Sequence, residues 1–282
     1  ELVTSSLVAG AIAGALAKTV IAPLDRTKIN FQIVNRPYNA RMAFMFILHS
    51  YKTDGLISLW RGNSATMARI IPYAAIQFCS HEQWKRLLHV DTDFRKSKWR
   101  RFLAGSLAGV TSQSLTYPLD LARARMAVTH KDQYHTLVEV FVRIWKEEGP
   151  FAFYKGYLPT ILGVIPYAGV SFYTYGTLKN YITEKYGQSN TIINLVCGAI
   201  AGMLGQSSSY PLDIVRRRMQ TSAVTGNEYN SIAGTLRKVY MEEGVQKGFF
   251  KGLSMNWVKG PIAVGISFAT YDHIRDYLRS LL

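Results

Sequence analysis

The chain has 282 residues, of which 48% are apolar and only 18% are charged. Soluble proteins of this length usually carry more charge, so the composition favours a membrane protein over a soluble enzyme. The net charge of +15 does not indicate a nucleic-acid-binding protein, because much of it lies in loops such as KSKWRR at 96–101, where it can set membrane topology or attract anionic lipid.

The first predicted helix begins near Leu2 and runs into VIAPLDRTKI at 20–29, where Pro23 is followed by Asp25 and Lys28. A proline ends or kinks a helix, and an acid and a base one turn apart usually form an ion pair on one helix face. A single copy of this phrase therefore indicates only local structure. The acid-glycine phrase DGLISLWRG follows at 54–62, and a second helix is predicted over 63–89.

The same phrases return twice in the same order, which indicates a threefold internal repeat. The prolines Pro23, Pro118 and Pro211 are separated by 95 and 93 residues. The recurring phrases are TYPLDLARAR (116–125) and SYPLDIVRRR (209–218), EGPFAFYKG (148–156) and EGVQKGFFKG (243–252), and RIIPYAAIQF, GVIPYAGVSF and KGPIAVGISF, which end at Phe78, Phe172 and Phe268. We predict repeats over 1–95, 96–188 and 189–282.

Each repeat is predicted to contain two long helices joined by a polar, basic segment. The later first helices begin near Trp99 and Ile192, and the later second helices span 157–184 and 253–281. At about 1.5 Å per residue the second helices reach ~40 Å, longer than the ~30 Å apolar core of a bilayer. No window is an unbroken run of eighteen apolar residues, but nearly charge-free segments with scattered polar residues suit helices that face lipid on one side and a watery cavity on the other.

Paired glycines lie in the first helix of each repeat, at the spacing that lets membrane helices approach closely. We expect these glycines to mark helix contacts. The pairs are Gly10 and Gly14, Gly105 and Gly109, and Gly198 and Gly202.

The triple pattern of Pro-x-acid-x-x-base-x-base, acid-Gly and aromatic-base-Gly resembles the mitochondrial carrier family over essentially the whole chain. Within that family, GALAKTVIAPLDRTKINFQ and RGNSATMARIIPYAAIQF resemble adenine-nucleotide carriers, and LTYPLDLARARMAVT and GLSMNWVKGPIAVGISF resemble coenzyme A carriers. Asn30 departs from the pattern, because the family usually has a second base there. The resemblance implies an all-α membrane protein with six transmembrane helices in three pseudo-symmetric repeats, and short matrix-side helices, around a central cavity.

The resemblance also implies a gate on the matrix side, made by the charged residues after the three prolines. The implied pairs are Asp25 with Arg123, Asp120 with Arg216, and Asp213 with Lys28, and the implied bracing glutamines are Gln32 and Gln220. The alternative is pairing within one helix at i,i+3, which contributes only about 0.2–0.5 kcal/mol per pair.

A second, cytoplasmic gate is implied four residues after each aligned phenylalanine. The acid positions hold Glu82, Gly176 and Asp272, and the bases three residues later are Lys85, Lys179 and Arg275. Because Gly176 has no carboxylate, Arg275 lacks its expected partner. At most two pairs then form, Glu82 with Lys179 and Asp272 with Lys85.

Substrate-binding residues are expected where the three repeats differ from one another. Nine residues before the aligned phenylalanines lie Arg69, Gly163 and Lys259, two cations and a gap at one level. The resemblance implies that Gly163 and Val164 seat an adenine, and that Lys18 binds phosphate. Tyr167 either stacks near the adenine or only packs in the membrane. Cations within a membrane are costly unless they face water or anions, which favours a binding role for the three basic residues.

The aromatic-base-glycine phrases resemble the cardiolipin sites of the family, where helix N-termini hold lipid phosphates. Their base and glycine residues are Arg61 and Gly62, Lys155 and Gly156, and Lys251 and Gly252.

The function implied is an antiporter of the inner mitochondrial membrane that works as a monomer, without cofactor or metal. It would exchange coenzyme A, dephospho-coenzyme A or adenosine 3',5'-diphosphate for adenine nucleotides. The alternatives are a general ADP/ATP-type carrier, a regulated pore or proton leak, and a membrane scaffold that no longer transports. An enzyme is not indicated, because the sequence has no P-loop, zinc-type His/Cys cluster or nucleophile elbow.

Overall fold

The computed structural model describes residues 2–34, 38–89, 97–130, 132–187 and 191–280, and within these ranges the chain is helical, without strands. Each repeat contains a long helix, a short helix and a second long helix, as predicted. The helices are α1 Leu2–Ile33, α2 Ala40–Asp54, α3 Asn63–Leu87, α4 Ser97–Val128, α5 Leu137–Arg143, α6 Tyr157–Tyr186, α7 Thr191–Thr225, α8 Ile232–Gly244 and α9 Leu253–Ser280. Short 3₁₀ or π turns follow each short helix, at Leu56–Trp60, Ile144–Glu148, Pro150–Tyr154 and Val245–Phe249.

Every long helix contains a proline in its interior. They are Pro23, Pro72, Pro118, Pro166, Pro211 and Pro261. Proline has no N–H, so the carbonyl four residues earlier loses its helical partner. In α1 that carbonyl belongs to Thr19, and the indole N–H of Trp60 donates to it at 2.8 Å. The aromatic residue of the first aromatic-base-glycine phrase therefore satisfies the backbone at the first proline.

The three short helices begin alike, with a polar side chain that caps the free N–H groups of the first turn. Asn39 accepts from the backbone N–H of Arg41, Thr136 from that of Glu139 and Ser231 from that of Gly234. These caps set where each short helix starts, and hence where the acid-glycine phrase falls at its end.

The chain divides into two compact units. The first comprises Glu1–Ala22, Trp60–Tyr154 and Ile266–Leu282, and within it α3 packs along α4. The second comprises Pro23–Leu59 and Lys155–Gly265, and within it α6 packs along α7.

The close approach of α6 to α7 occurs at Gly205. A Cβ added there would lie 1.9 Å from Ser171 Oγ and 2.8 Å from the carbonyl oxygen of Tyr167. The expectation that the paired glycines mark such contacts is wrong. Among the described residues, an added Cβ at Gly198 or Gly202 meets no atom within 4 Å, and the other pairs meet at most one side-chain atom at 4.0 Å. The spacing occurs at these positions, but no described residue comes close enough to require a glycine there.

Among the helices of the described ranges, none contains an eighteen-residue window with the sustained apolar character of an ordinary membrane span.

Candidate functional site

The first charged cluster joins α1 to α7, just beyond their prolines. Lys28 Nζ lies 2.9 Å from Asp213 Oδ2, and the Lys28 side chain is only 8% exposed. Gln32 Nε2 donates to the same carboxylate oxygen and to the Tyr210 hydroxyl, each at 3.2 Å. The structure thus contains the expected Asp213–Lys28 pair, with Gln32 bracing it.

The other two carboxylates of the expected matrix gate hold two of the three cations expected to bind substrate. Lys259 Nζ lies 2.6 Å from Asp25 Oδ1, and Arg69 Nη1 lies 3.3 Å from Asp120 Oδ1. Neither contact was predicted, because the repeat spacing places the gate and the binding residues at separate levels. A long side chain from the binding level spans that separation.

Arg69 has an extended set of partners on α4. Its Nη2 donates to Gln113 Oε1 at 2.6 Å and its Nε to Thr116 Oγ1 at 3.2 Å. Its guanidinium also lies 4.9 Å from the centre of the Tyr73 ring, close enough for a cation–π contact. The guanidinium is therefore fixed in place before any substrate arrives.

The expected pairs Asp25–Arg123 and Asp120–Arg216 would join residues of different units, and they stay predictions. Gln220, expected to brace as Gln32 does, has Oε1 accepting from Arg217 Nη1 at 2.8 Å. Its position one turn after Arg217 accounts for this local bond.

The positions expected to seat adenine are on α6. An added Cβ at Gly163 would lie 3.7 Å from Leu212 Cβ, an ordinary contact. Val164 and Tyr167 are 44% and 45% exposed, so Tyr167 is not a core packing residue. Lys18 is also exposed, on α1.

The charges of the expected cytoplasmic gate pair locally in this structure. Lys85 Nζ lies 2.6 Å from Glu82 Oε1 of the same helix. The expected pairs Glu82–Lys179 and Asp272–Lys85 stay predictions. Arg275 Nη2 lies 3.0 Å from Oδ1 of the adjacent Asp276, which is not the gate partner that Gly176 fails to provide. Lys179 lies over the Tyr175 ring, at 5.8 Å from its centre. The side chain of Asp272 lies outside the described residues. Spacing of three or four residues on a helix favours the Glu82–Lys85 and Tyr175–Lys179 contacts.

Comparison with known proteins identifies the family. The family profile described as mitochondrial carrier protein matches residues 2–92, 94–186 and 187–281. The chain belongs to the mitochondrial carrier family. It is 57% identical to the mitochondrial coenzyme A transporter of Xenopus laevis, over 99% of this chain and 87% of that protein. The identity to the mitochondrial coenzyme A transporter of Homo sapiens is also 57%, over 99% and 89%. Solute carrier family 25 member 16 of Homo sapiens is 38% identical, over 96% and 87%.

Two buried ion pairs in this carrier connect the long first helices to the acid-glycine phrases, and the sequence analysis missed both. Arg125 pairs with Glu148, with Nη2 3.0 Å from Oε2, and Arg218 pairs with Glu243. Both arginines stand seven residues after a proline, and both acids precede the glycine of the phrase. The arginine after the proline and the acid before the glycine recur together in these repeats, and that recurrence was the signal that could have predicted the pairing.

The first repeat of the carrier differs because Asn30 replaces the arginine. Its Nδ2 donates to the carbonyl of Arg26 at 3.0 Å, within its own helix. Arg26 Nη1 instead donates to the carbonyl of Ser58 at 2.5 Å, in the 3₁₀ turn after α2. A bond from a different α1 residue thus connects α1 to the segment after its short helix.

The aromatic-base-glycine phrases of the carrier start its second helices. Gly62, Gly156 and Gly252 have φ of +84°, +80° and +79°, and a Cβ at Gly62 would lie 2.8 Å from the carbonyl oxygen of Arg123. Two of the three bases, Arg61 and Lys251, contact protein groups. Arg61 donates to the carbonyls of Met126, His130 and Tyr134.

Lys251 is the clearest departure from the lipid-binding expectation. Its side chain is 1% exposed, and it pairs with Glu243 and donates to the Val34 carbonyl at 2.8 Å. A buried ammonium group cannot reach a lipid phosphate, so the backbone N–H groups at the start of α9 are the remaining candidates for lipid contact there.

Proposed function

We propose that this carrier exchanges coenzyme A, or dephospho-coenzyme A or adenosine 3',5'-diphosphate, for adenine nucleotides across the inner mitochondrial membrane by alternating access. Identity of 57% to proteins named mitochondrial coenzyme A transporter, over nearly the whole chain, supports the cargo. The carrier works as a monomer that spans the membrane several times, surrounded by cardiolipin.

The observation that carries the mechanism is the pairing of Arg69 with Asp120 and of Lys259 with Asp25. In each pair a cation of the binding level holds a carboxylate of the matrix gate. A partly buried cation is costly without an anion, so it is released from its carboxylate most easily when another anion takes that place. A substrate phosphate is such an anion.

Phosphate binding therefore changes the gate. When substrate phosphates take over Arg69 and Lys259, Asp120 and Asp25 are free to change partners. A cargo shifts a conformational equilibrium only by its difference in affinity for the two states, and this exchange of anions provides that difference. The empty carrier keeps both carboxylates held, which favours exchange over leak.

The remaining site residues complete the transport cycle. The adenine lies against Gly163 and Val164 with Tyr167 beside it, and Lys18 attracts the phosphates. The matrix gate closes through Asp25–Arg123, Asp120–Arg216 and Asp213–Lys28, with Gln32 and Gln220 bracing. The cytoplasmic gate uses Glu82, Lys85, Lys179, Asp272 and Arg275. Lipid binds at the helix starts beside Lys155, Gly62, Gly156 and Gly252.

Reconstitution in liposomes tests this function. Vesicles loaded with ADP should take up labelled coenzyme A, and Arg69→Ala or Lys259→Ala should abolish the uptake while the protein still unfolds cooperatively. Lys185→Ala, an exposed cation at the end of α6, is the matched control. Normal coenzyme A uptake by either binding-site variant would refute the assigned cations.

The same vesicles separate the alternatives. Exchange of ADP and ATP without coenzyme A would support a general nucleotide carrier. Dissipation of a proton gradient without counterflow of nucleotides would support a pore.

A further inference from the structure

Asn256, in the first turn of α9, is a buried amide without partners. Its side chain is 2% exposed, and neither Nδ2 nor Oδ1 has a hydrogen-bond partner among the described residues. A buried donor and acceptor left unpaired carry their full desolvation cost, whereas a leucine of similar size would carry none. The stability of this structure therefore does not account for an asparagine at this position.

The helix places Asn256 between two contacts with α1. Gly252, Asn256 and Lys259 are spaced i, i+4 and i+7, and so share one helix face. A Cβ at Gly252 would lie 3.7 Å from Lys28 Cγ, and Lys259 Nζ contacts Asp25. Asn256 therefore faces the turn of α1 between Asp25 and Lys28, one turn from a cation of the proposed substrate site.

The chemistry of the amide limits what it can recognise. A carboxamide presents a donor and an acceptor, and a ligand satisfies both only if it offers an acceptor to Nδ2 and a donor to Oδ1. A phosphate oxygen only accepts, so it would leave Oδ1 unpaired. The pantetheine arm of coenzyme A contains two trans amides, each with its N–H and C=O on opposite edges, so the C=O of one can accept from Nδ2 while the N–H of the other donates to Oδ1. Adenine also offers both kinds of group, but the proposed site already seats adenine at Gly163 on α6.

We propose that Asn256 recognises the two amides of the pantetheine arm, and so distinguishes coenzyme A from nucleotides that lack the arm. This inference rests on the proposed function and deepens it. When a substrate phosphate replaces Asp25 on Lys259, the contact between α1 and α9 beside Asn256 opens. The arm, attached to the same diphosphate, then reaches the unpaired amide. Binding energy is thus gained as the gate carboxylate is released.

Competition in liposomes tests the inference. Asn256→Leu should weaken competition by coenzyme A and dephospho-coenzyme A on the order of 10- to 100-fold, since each substrate amide would be buried without its partners. Competition by ADP and by adenosine 3',5'-diphosphate, which have no arm, should equal that of the parent protein. Asn256→Ala should show the same pattern.

Gln113→Leu is the matched comparison. Gln113 accepts a hydrogen bond from Arg69, so this substitution should weaken competition by every phosphate-bearing competitor equally. A second measurement separates recognition from folding. Because Asn256→Leu removes an unpaired buried amide, the substrate-free variant should unfold at the same temperature as the parent protein or higher.

Equal weakening of all four competitors by Asn256→Leu would overturn the inference, as would no change for any of them. Equal weakening would mean that Asn256 supports the fold or contacts the nucleotide part that all four competitors share. No change would mean that Asn256 does not contact the substrate. Failure of the proposed function is distinct, because the parent protein itself would then be insensitive to coenzyme A.

Discussion

Replacing Glu243 with glutamine should cause a large loss of stability. The carboxylate lies between Arg218 and Lys251, and the three side chains are 1%, 2% and 1% exposed in the order Arg218, Glu243, Lys251. Glu243→Gln keeps the shape but leaves two buried cations with one neutral amide. Removing one partner of a buried ion pair costs about 3–5 kcal/mol. At about 2–4 °C per kcal/mol, the melting temperature should fall by roughly 6–20 °C.

The assay can use the cysteines of the chain. Cys197 is buried and Cys79 is exposed. In a Cys79→Ser background, a thiol-reactive dye reports unfolding through Cys197 alone. Glu242→Gln, one residue earlier and exposed, is the control and should leave the melting temperature unchanged. An equal shift in the two variants would refute the reasoning that the buried carboxylate neutralises both cations.

The pH dependence of the same variant gives a second check. Burial lowers the pKa of Lys251, and the Glu243 carboxylate opposes that effect. In Glu243→Gln the pKa of Lys251 in the folded state should fall further. Above that lowered pKa, Lys251 holds its proton in the unfolded state but has lost it in the folded state, so the unfolded state binds more protons. Stability then rises with pH until Lys251 is neutral in both states. The stability deficit of the variant relative to the parent protein should therefore shrink as the pH is raised through the lowered pKa of Lys251. A constant deficit as the pH is raised would exclude Lys251 as its source.

Three glycine substitutions test other parts of the carrier. Gly176→Asp should shift the resting carrier toward the matrix-open form by up to about fivefold relative to Gly176→Ala, as an added carboxylate competes for Arg275. Among the described residues, no atom lies within 4 Å of a Cβ added at Gly176, so the new side chain has room. If cavity cysteines in the two variants were labelled equally from each side of the membrane, the expected shift would be contradicted. Gly163→Leu should reduce competition by ADP, and unchanged competition would exclude the adenine slot. Gly205→Ala should lower the melting temperature because α6 is too close, whereas Gly202→Ala should not.

One part of the site was predictable because it repeats. Three copies of one phrase placed Lys28 and Asp213 after equivalent prolines, and the structure holds them 2.9 Å apart. Gln32 was predictable on the same grounds. The paired glycines were not a reliable signal, because their spacing shows which face is small and not where the neighbouring helix passes. Gly205, where α6 does approach, belongs to no such pair of the repeat.

The sequence is enough to identify the threefold repeat, the alternation of long and short helices, the family and the level of each charged residue along its helix. These follow from local periodicity and from phrases that recur at fixed intervals. Which anion each cation holds depends instead on how the helices pack in three dimensions. Arg69 could reach Asp120 or remain open to a substrate, and Lys251 could face lipid or Glu243. Long flexible side chains can span more than a helical turn, so their partners depend on where neighbouring helices lie and on the cost of leaving a charge buried alone.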